Sequence, residues 1–323
     1  MVELLHRRRH SGRHDGSVIV VVAPGQGSQK PGFLEPWLAD PQLASLLGEL
    51  SQAADVDLVA HGTTSDAETI RDTAVAQPLI VAAGIMTAHA LFSRVDRSRI
   101  AGVAGHSVGE FTAAAVSGVL SDTDAVSLVA ERGRAMADAA GRVETGMSAV
   151  LGGDQAELLA RLDELGLEPA NYNGGGQIVV AGELSALAAL AEQPPAKARV
   201  IPLQVAGAFH TRYMQPAVER LRDAASGVAA SDPTLTLWTN SDGGVVTEGA
   251  RFVDLLVGQV SSPVRWDATM ESFAAAGVTG LIELAPAGAL TGLAKRALRG
   301  VPSVAITTPD DLTAAVDLIE GAA

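Results

Sequence analysis

The chain of 323 residues contains no cysteine. That excludes disulfides, thiolate metal sites and a cysteine nucleophile, and it suits a cytoplasmic protein without requiring one. Positive charge is scarce as well: 23 Lys and Arg against 37 Asp and Glu give a formal net charge of −14. A general nucleic-acid-binding surface is excluded on sign, because its affinity comes from neutralising phosphates. No apolar run approaches the ~18 residues of a membrane-spanning helix, so no membrane insertion is expected. A secretory signal is not expected from the N-terminal pattern either. Residues 1–16 are basic (LLHRRRHSGRH), but only residues 18–23 follow before Pro24-Gly25, short of a signal peptide's apolar core of roughly 7–15 residues. They read as a disordered leader outside the fold. Metal binding by His6, His10 and His14 is the alternative; elsewhere no metal site is expected.

With 47% hydrophobic and 19% charged residues, the composition is that of a globular protein with a large core. The β-branched run over 17–23 (SVIVVVA) predicts a buried strand. It ends in Pro24-Gly25-Gln26-Gly27-Ser28-Gln29, whose glycines let backbone N–H groups face a ligand. The Gly-Lys-[Ser/Thr] ending of a Walker loop is absent. Helices are expected over 41–54, 66–73, 79–92 (opened by Gln77-Pro78), 110–119 and 121–140, the last capped by Ser121 with Asp124 at the capping-box position. Over 147–205 the order becomes β-α-β-β-α-β, a ferredoxin-like unit. Strands over 235–239, 281–284 and 303–307 alternate with helices over 211–225, 252–259, 266–276 and 290–299, and 262–266 reads as a break. Such alternation points to a mostly parallel sheet covered on both faces. The expected fold class is α/β: a large domain with a parallel central sheet from 17–143 and 206–323, which a strand–Gly-x-Ser-x-Gly–helix stretch at 105–109 makes α/β-hydrolase-like, with an inserted ferredoxin-like subdomain at 144–205. A cleft between two such units is a usual ligand site.

Gly105-His106-Ser107-Val108-Gly109 is a G-x-S-x-G pentapeptide. Alone it fits a Gly-Ser turn without chemistry equally well. Here an apolar strand-like run precedes it and a helix-forming run follows, the context of a nucleophile elbow. A serine hydroxyl needs a neighbouring base. Three of the seven histidines lie in 1–16, His61 and His89 precede the elbow, and His106 should point away from its neighbour Ser107. Only His210 follows the serine, as in α/β-hydrolase-like chains, and by elimination it is the candidate base. The N–H of Val108 and Gln26 in the glycine-rich loop are candidate oxyanion donors. No Asp or Glu stands out to orient His210. Arg132 reads, from spacing alone, as a solvated helix charge; its neighbour Gly133 suggests a close approach in mid-helix.

In order along the chain, PGQGSQ (24–29), QPLI (77–80), GHSVGE (105–110), ERG (131–133), ANYNGGGQIVVAG (170–182), GAFHTRYM (207–214), QVSSPVRW (259–266) and LTGLAKR (290–296) resemble the actinobacterial malonyl-CoA:acyl-carrier-protein transacylases. The loop Ala285-Pro286-Ala287-Gly288 departs from that family's usual Gly-Pro-Gly. The resemblance implies ping-pong transfer of malonyl from malonyl-CoA to the phosphopantetheine thiol of acyl carrier protein, through malonyl-Ser107, for fatty-acid biosynthesis. No cofactor is implied beyond these thioester substrates. The resemblance also implies that His210 is the base, oriented by a main-chain carbonyl near Gln259, with Gln26 and Val108 forming the oxyanion hole. Arg132 would bind the malonyl carboxylate, against its reading as a solvated charge. Asn171, Asn173, His106 and Gln259 would line the substrate site, and Phe209 and Val108 resemble malonyl-selecting forms. Lys295, Arg296 and Arg299 on one late helix offer either a basic patch for an acidic carrier protein or an ordinary solvated face. The alternatives are a serine esterase or patatin-like hydrolase, a trans-acting polyketide-synthase acyltransferase, and a catalytically silent carrier-binding scaffold.

Overall fold

The computed structural model describes residues 16–205 and 207–321. His6, His10, His14 and all of the expected leader except Gly16 lie outside the described residues. The strands are β1 (Ile19–Ala23), β2 (Ile100–Gly105), β3 (Thr145–Gly152), β4 (Glu168–Gly174), β5 (Gln177–Glu183), β6 (Ala198–Pro202), β7 (Thr236–Trp238), β8 (Val245–Val246), β9 (Val264–Arg265), β10 (Gly280–Glu283) and β11 (Ser303–Ala305). The helices are α1 (Pro41–Ala54), α2 (Leu58–Thr63), α3 (Thr73–Phe92), α4 (Gly109–Ser117), α5 (Asp122–Ala140), α6 (Gln155–Leu165), α7 (Leu184–Glu192), α8 (Gln215–Ala225), α9 (Gly249–Gln259), α10 (Trp266–Ala275), α11 (Ala289–Ala297) and α12 (Leu312–Glu320).

Every residue of β1 is buried, and the strand's period of two divides it between two cores. Ile19 and Val21 pack into a cluster with α1, α3, α4 and α5. Val20 and Val22 pack on the other face with Trp238, Trp266 and Phe273. Full burial of each such side chain is worth roughly 1.5–3 kcal/mol, so a continuous apolar run is what a sheet covered on both faces requires. The sheet order is β11-β10-β1-β2-β7-β8. All its pairings are parallel except the antiparallel edge hairpin of β7 and β8. The second sheet, β6-β3-β5-β4-β9, is antiparallel through its first four strands and has its own small core of Val150, Leu158, Leu162 and Val180.

Several elements differ from expectation. The stretch read as a break supplies β9, which pairs in parallel with β4 through Asn171↔Val264 and Tyr172↔Arg265. Two residues between Pro263 and the start of α10 are too short to show a period; the open edge of β4 makes them a strand. Helix α3 begins at Thr73, because Asp72 caps it by accepting from the Ala74 N–H at 2.8 Å. Pro78 therefore lies inside it. At 20 residues α3 is long and apolar enough to cross a bilayer, but 78% of its apolar window is buried in the protein; it is a core helix. The helix expected over 66–73 shrinks to a 3-10 turn at Thr69–Arg71, and α2 and α12 were not foreseen. Helix α11 ends at Ala297, so Arg299 lies beyond it.

Candidate active site

The elbow is a backbone-to-backbone contact. A Cβ on Gly105 would stand 2.0 Å from the Gly109 carbonyl carbon, and one on Gly109 would stand 2.2 Å from the Ala23 carbonyl oxygen. Only glycine lets α4 start directly over the ends of β1 and β2. Between them Ser107 has φ 53°, a left-handed conformation that costs a non-glycine residue energy and must be held by its surroundings. Its N–H donates to Asn240 Oδ1 at 2.6 Å and its carbonyl accepts from Gln259 Nε2 at 3.1 Å. Asn240 Nδ2 in turn donates to the Gly105 carbonyl at 2.6 Å.

His210, also left-handed at φ 63°, is buried on the loop before α8. Its Nδ1 lies 2.9 Å from the Gln259 carbonyl oxygen and its Nε2 lies 2.7 Å from Ser107 Oγ. A carbonyl can only accept, so Nδ1 carries the proton and the Nε2 lone pair faces the serine hydroxyl. Burial, and next the nearby Arg132 cation, push the ring's pKa down to about 3. The imidazole is therefore neutral at pH 7. Among the described residues no carboxylate touches it; the main-chain carbonyl of Gln259 takes the orienting place.

Arg132, on α5, is 1% exposed; it is no solvated charge. Nη1 donates to Gln77 Oε1 at 2.6 Å and Nη2 to Gln259 Oε1 at 2.8 Å, with Ser107 Oγ 3.4 Å from Nη2. Its ring neighbour is Phe111, 5.8 Å from the guanidinium carbon. Burial lowers its pKa to about 10, which leaves it a cation at pH 7. Among the described residues its Nε has no partner. A buried cation held by two neutral amides beside a serine hydroxyl is a ready site for a ligand anion. Gly133 serves packing: a Cβ there would lie 2.9 Å from the Thr73 carbonyl oxygen, at the start of the helix that carries Gln77.

Ser107, His210, Arg132 and Gln77 line one cleft of about 520 Å³ between the two sheets; Gln259, expected to line the substrate site, stands behind them with Asn240 and Glu110 along a separate pocket and reaches the cleft only through Arg132, His210 and Ser107. Gln26 and Val108 both face the cleft, and among the described residues neither backbone N–H has an acceptor. The Gln26 side chain turns away to the Arg71 carbonyl at 3.2 Å. Asn171, Asn173 and Phe209 are buried in the cleft wall. His106 points away from the serine: its Nε2 lies 2.8 Å from Asn173 Oδ1 on the small sheet, and its ring meets Trp266 edge-on at 5.6 Å. Arg296 reaches the cleft beside the Gly174–Gly176 turn. His89 is elsewhere, paired with Asp122 at 2.7 Å.

Sequence reasoning missed Asn240, Gln77 and Glu110. Asn240 sat in what reads as an ordinary turn, and Gln77 as the opening of a helix. Glu110 carried a signal: an acid inside an otherwise apolar run on α4, though an acid in a first turn is ordinarily explained by the helix dipole.

Residues 20–311 match the family described as acyl transferase domain. This chain belongs to that family. It is 53% identical over 299 residues to the malonyl CoA-acyl carrier protein transacylase of Mycobacterium tuberculosis, covering 91% of this chain and 98% of the relative. The crystal structure of that organism's MCAT superposes with a TM-score of 0.89 at 52% identity, over 91% of this chain and 98% of the other. A malonyl-transacylase solved in complex with its type II PKS acyl-carrier protein superposes at 0.88 and 29% identity, over 94% and 100%. The acyltransferase fold pairs a large α/β domain with a ferredoxin-like one, and the two sheets of this chain have that form.

Proposed function

We infer that this acyltransferase moves malonyl from malonyl-CoA to the thiol of an acyl carrier protein, by way of an ester on Ser107. The observation that carries this reading is a buried guanidinium 3.4 Å from the hydroxyl that a neutral histidine activates at 2.7 Å. Ser107 Oγ attacks the thioester carbonyl and its proton passes to His210 Nε2. The oxyanion takes hydrogen bonds from the N–H groups of Val108 and Gln26, each worth roughly a hundred- to a thousandfold in rate. The tetrahedral centre collapses, the C–S bond breaks, and the coenzyme A sulfur leaves with the proton held on Nε2. The carrier thiol reverses the sequence. No step calls on a cofactor. A malonyl carboxylate on Arg132 also offsets the cation that depresses the His210 pKa, so the base strengthens when the right acyl group is seated. Phe209 narrows the space beside the α-carbon. Coenzyme A and carrier thioesters place the reaction in the cytoplasm, where it supplies extender units for fatty-acid synthesis. The names of the relatives support the same reading.

Intact-mass analysis after incubation with malonyl-CoA tests it. The expected result is one malonyl adduct, absent in Ser107→Ala and discharged by added carrier protein. Steady release of free malonate without carrier would make the protein a hydrolase, and neither adduct nor turnover would make it a silent binding protein.

A further inference from the structure

Glu110 is buried at 1% exposure in the first turn of α4, and the transfer steps do not use it. Its Oε1 accepts from the Asn240 main-chain N–H at 2.7 Å, and its Oε2 accepts from Gln259 Nε2. Gln259 is thus engaged on all sides. Its main-chain carbonyl accepts from His210 Nδ1–H, its Nε2 donates to Glu110 and to the Ser107 carbonyl, and its Oε1 accepts from Arg132 Nη2.

We propose that Glu110 is a positioning residue for acyl-group selection: its carboxylate holds the Gln259 amide with nitrogen toward α4 and oxygen toward Arg132, presenting the guanidinium to the incoming acyl carboxylate. An ionised carboxylate only accepts and a guanidinium only donates. An amide between them satisfies both in one orientation and neither in the flipped one. Glu110 therefore decides which face of Gln259 meets Arg132. It is also the anion that acts on buried Arg132. Held one amide away, it supports the cation without occupying the N–H groups a ligand carboxylate needs. A carboxylate placed directly on Arg132 would close the site to an anionic acyl group.

This rests on the reading of Arg132 as the malonyl-binding group, and the test separates the two. Glu110→Gln keeps shape and can still accept from the Asn240 N–H, but it then sets NH2 against the Gln259 NH2. First-half-reaction kcat/KM is measured at pH 8, where Glu110 is ionised, with malonyl-CoA and acetyl-CoA, alongside the thermal melt. For Glu110→Gln we expect malonyl loading to fall roughly ten- to hundredfold, the size of a lost charge-assisted hydrogen bond, while acetyl loading changes about twofold or less. Glu110→Asp should recover part of the ratio. Adding Glu110→Gln to Arg132→Ala should leave the Arg132→Ala ratio where it was, since both act through one guanidinium. An unchanged malonyl:acetyl ratio in Glu110→Gln, or an equal loss with both thioesters, overturns the proposal. Should Glu110→Gln not fold, Glu110→Asp carries the test, since it keeps the charge and shortens the reach to Gln259 Nε2: a malonyl:acetyl ratio lowered roughly threefold or more supports the proposal, and an unchanged ratio overturns it. A wild-type protein that takes no malonyl on Ser107 overturns the underlying reading, and the proposal with it.

Discussion

At the residue scale, the site separates two titrations that a histidine-based enzyme would ordinarily merge. His210 is held at about 3 by burial and by Arg132. Burial pushes Glu110 up to about 7, against the donors that favour its charged form: the Asn240 N–H, the Thr239 and Gln259 side chains and the Arg132 cation. Protonating Glu110 makes it the isostere of Gln and turns its Gln259-facing oxygen into a donor. The carboxylate is the form that orients Gln259, so malonyl loading should fall as pH drops from 8 to 6. Acetyl loading, which needs only neutral His210, should stay level over that range. Rate profiles with the two thioesters check this, and a malonyl:acetyl ratio independent of pH would count against it. The protein's main departure from residue-by-residue legibility lies here. That Ser107 and His210 would meet could be anticipated by pattern and elimination. The buried state of Arg132 could not, because a helix of alternating small and charged residues does not announce which face is covered. Asn240 acts through a side chain whose partner is more than a hundred residues away in the chain, at Ser107.

At the scale of elements, the elbow is a three-way crossing of backbones, and the glycines are its clearances. Gly109→Ala puts a methyl against the Ala23 carbonyl at 2.2 Å, and overpacking of that kind costs about 1–3 kcal/mol or more. Gly48→Ala, inside α1 with nothing within 4 Å of the added carbon, should gain about 0.5–1 kcal/mol. Thermal melts of the two variants should move in opposite directions; equal shifts would remove the steric account. The same crossing explains why so much of the architecture was readable. Apolar runs, caps such as Ser121 and paired glycines act locally, and the β-α-β-β-α-β order followed from them. What escaped was made by neighbours: β9 exists because β4 has an open edge, and the true start of α3 is set by the Asp72 cap upstream of the proline. Helix α12 follows the last expected strand and packs its apolar face on the large sheet.

At the scale of the whole molecule, a chain of net charge −14 has to receive a partner that is itself acidic, if the partner is a carrier protein. Lys295 and Arg299 are exposed near the end of α11, and Arg296 between them reaches the cleft mouth. Exposed charges steer encounter more than they add affinity, and salt screens them. Reversing Lys295 and Arg299 to Glu should raise the KM for carrier protein about two- to tenfold at low salt, with less effect at high salt. Loading of Ser107 from malonyl-CoA should keep its rate. An unchanged KM at low salt would return these residues to the ordinary solvated surface.

The link between His106 and Asn173 at 2.8 Å joins the residue before Ser107 to the opposite wall of the cleft. The walls are in that sense tied through the neighbour of Ser107. Spreading them to admit a bulkier acyl chain pulls on the strained turn that aims Ser107 and the Val108 N–H. Width and reactivity are then coupled: a variant whose two walls move apart is expected to lose rate on every substrate unless the tether is rebuilt at the new span, whereas one widened by trimming a lining side chain such as Phe209 leaves the tether in place.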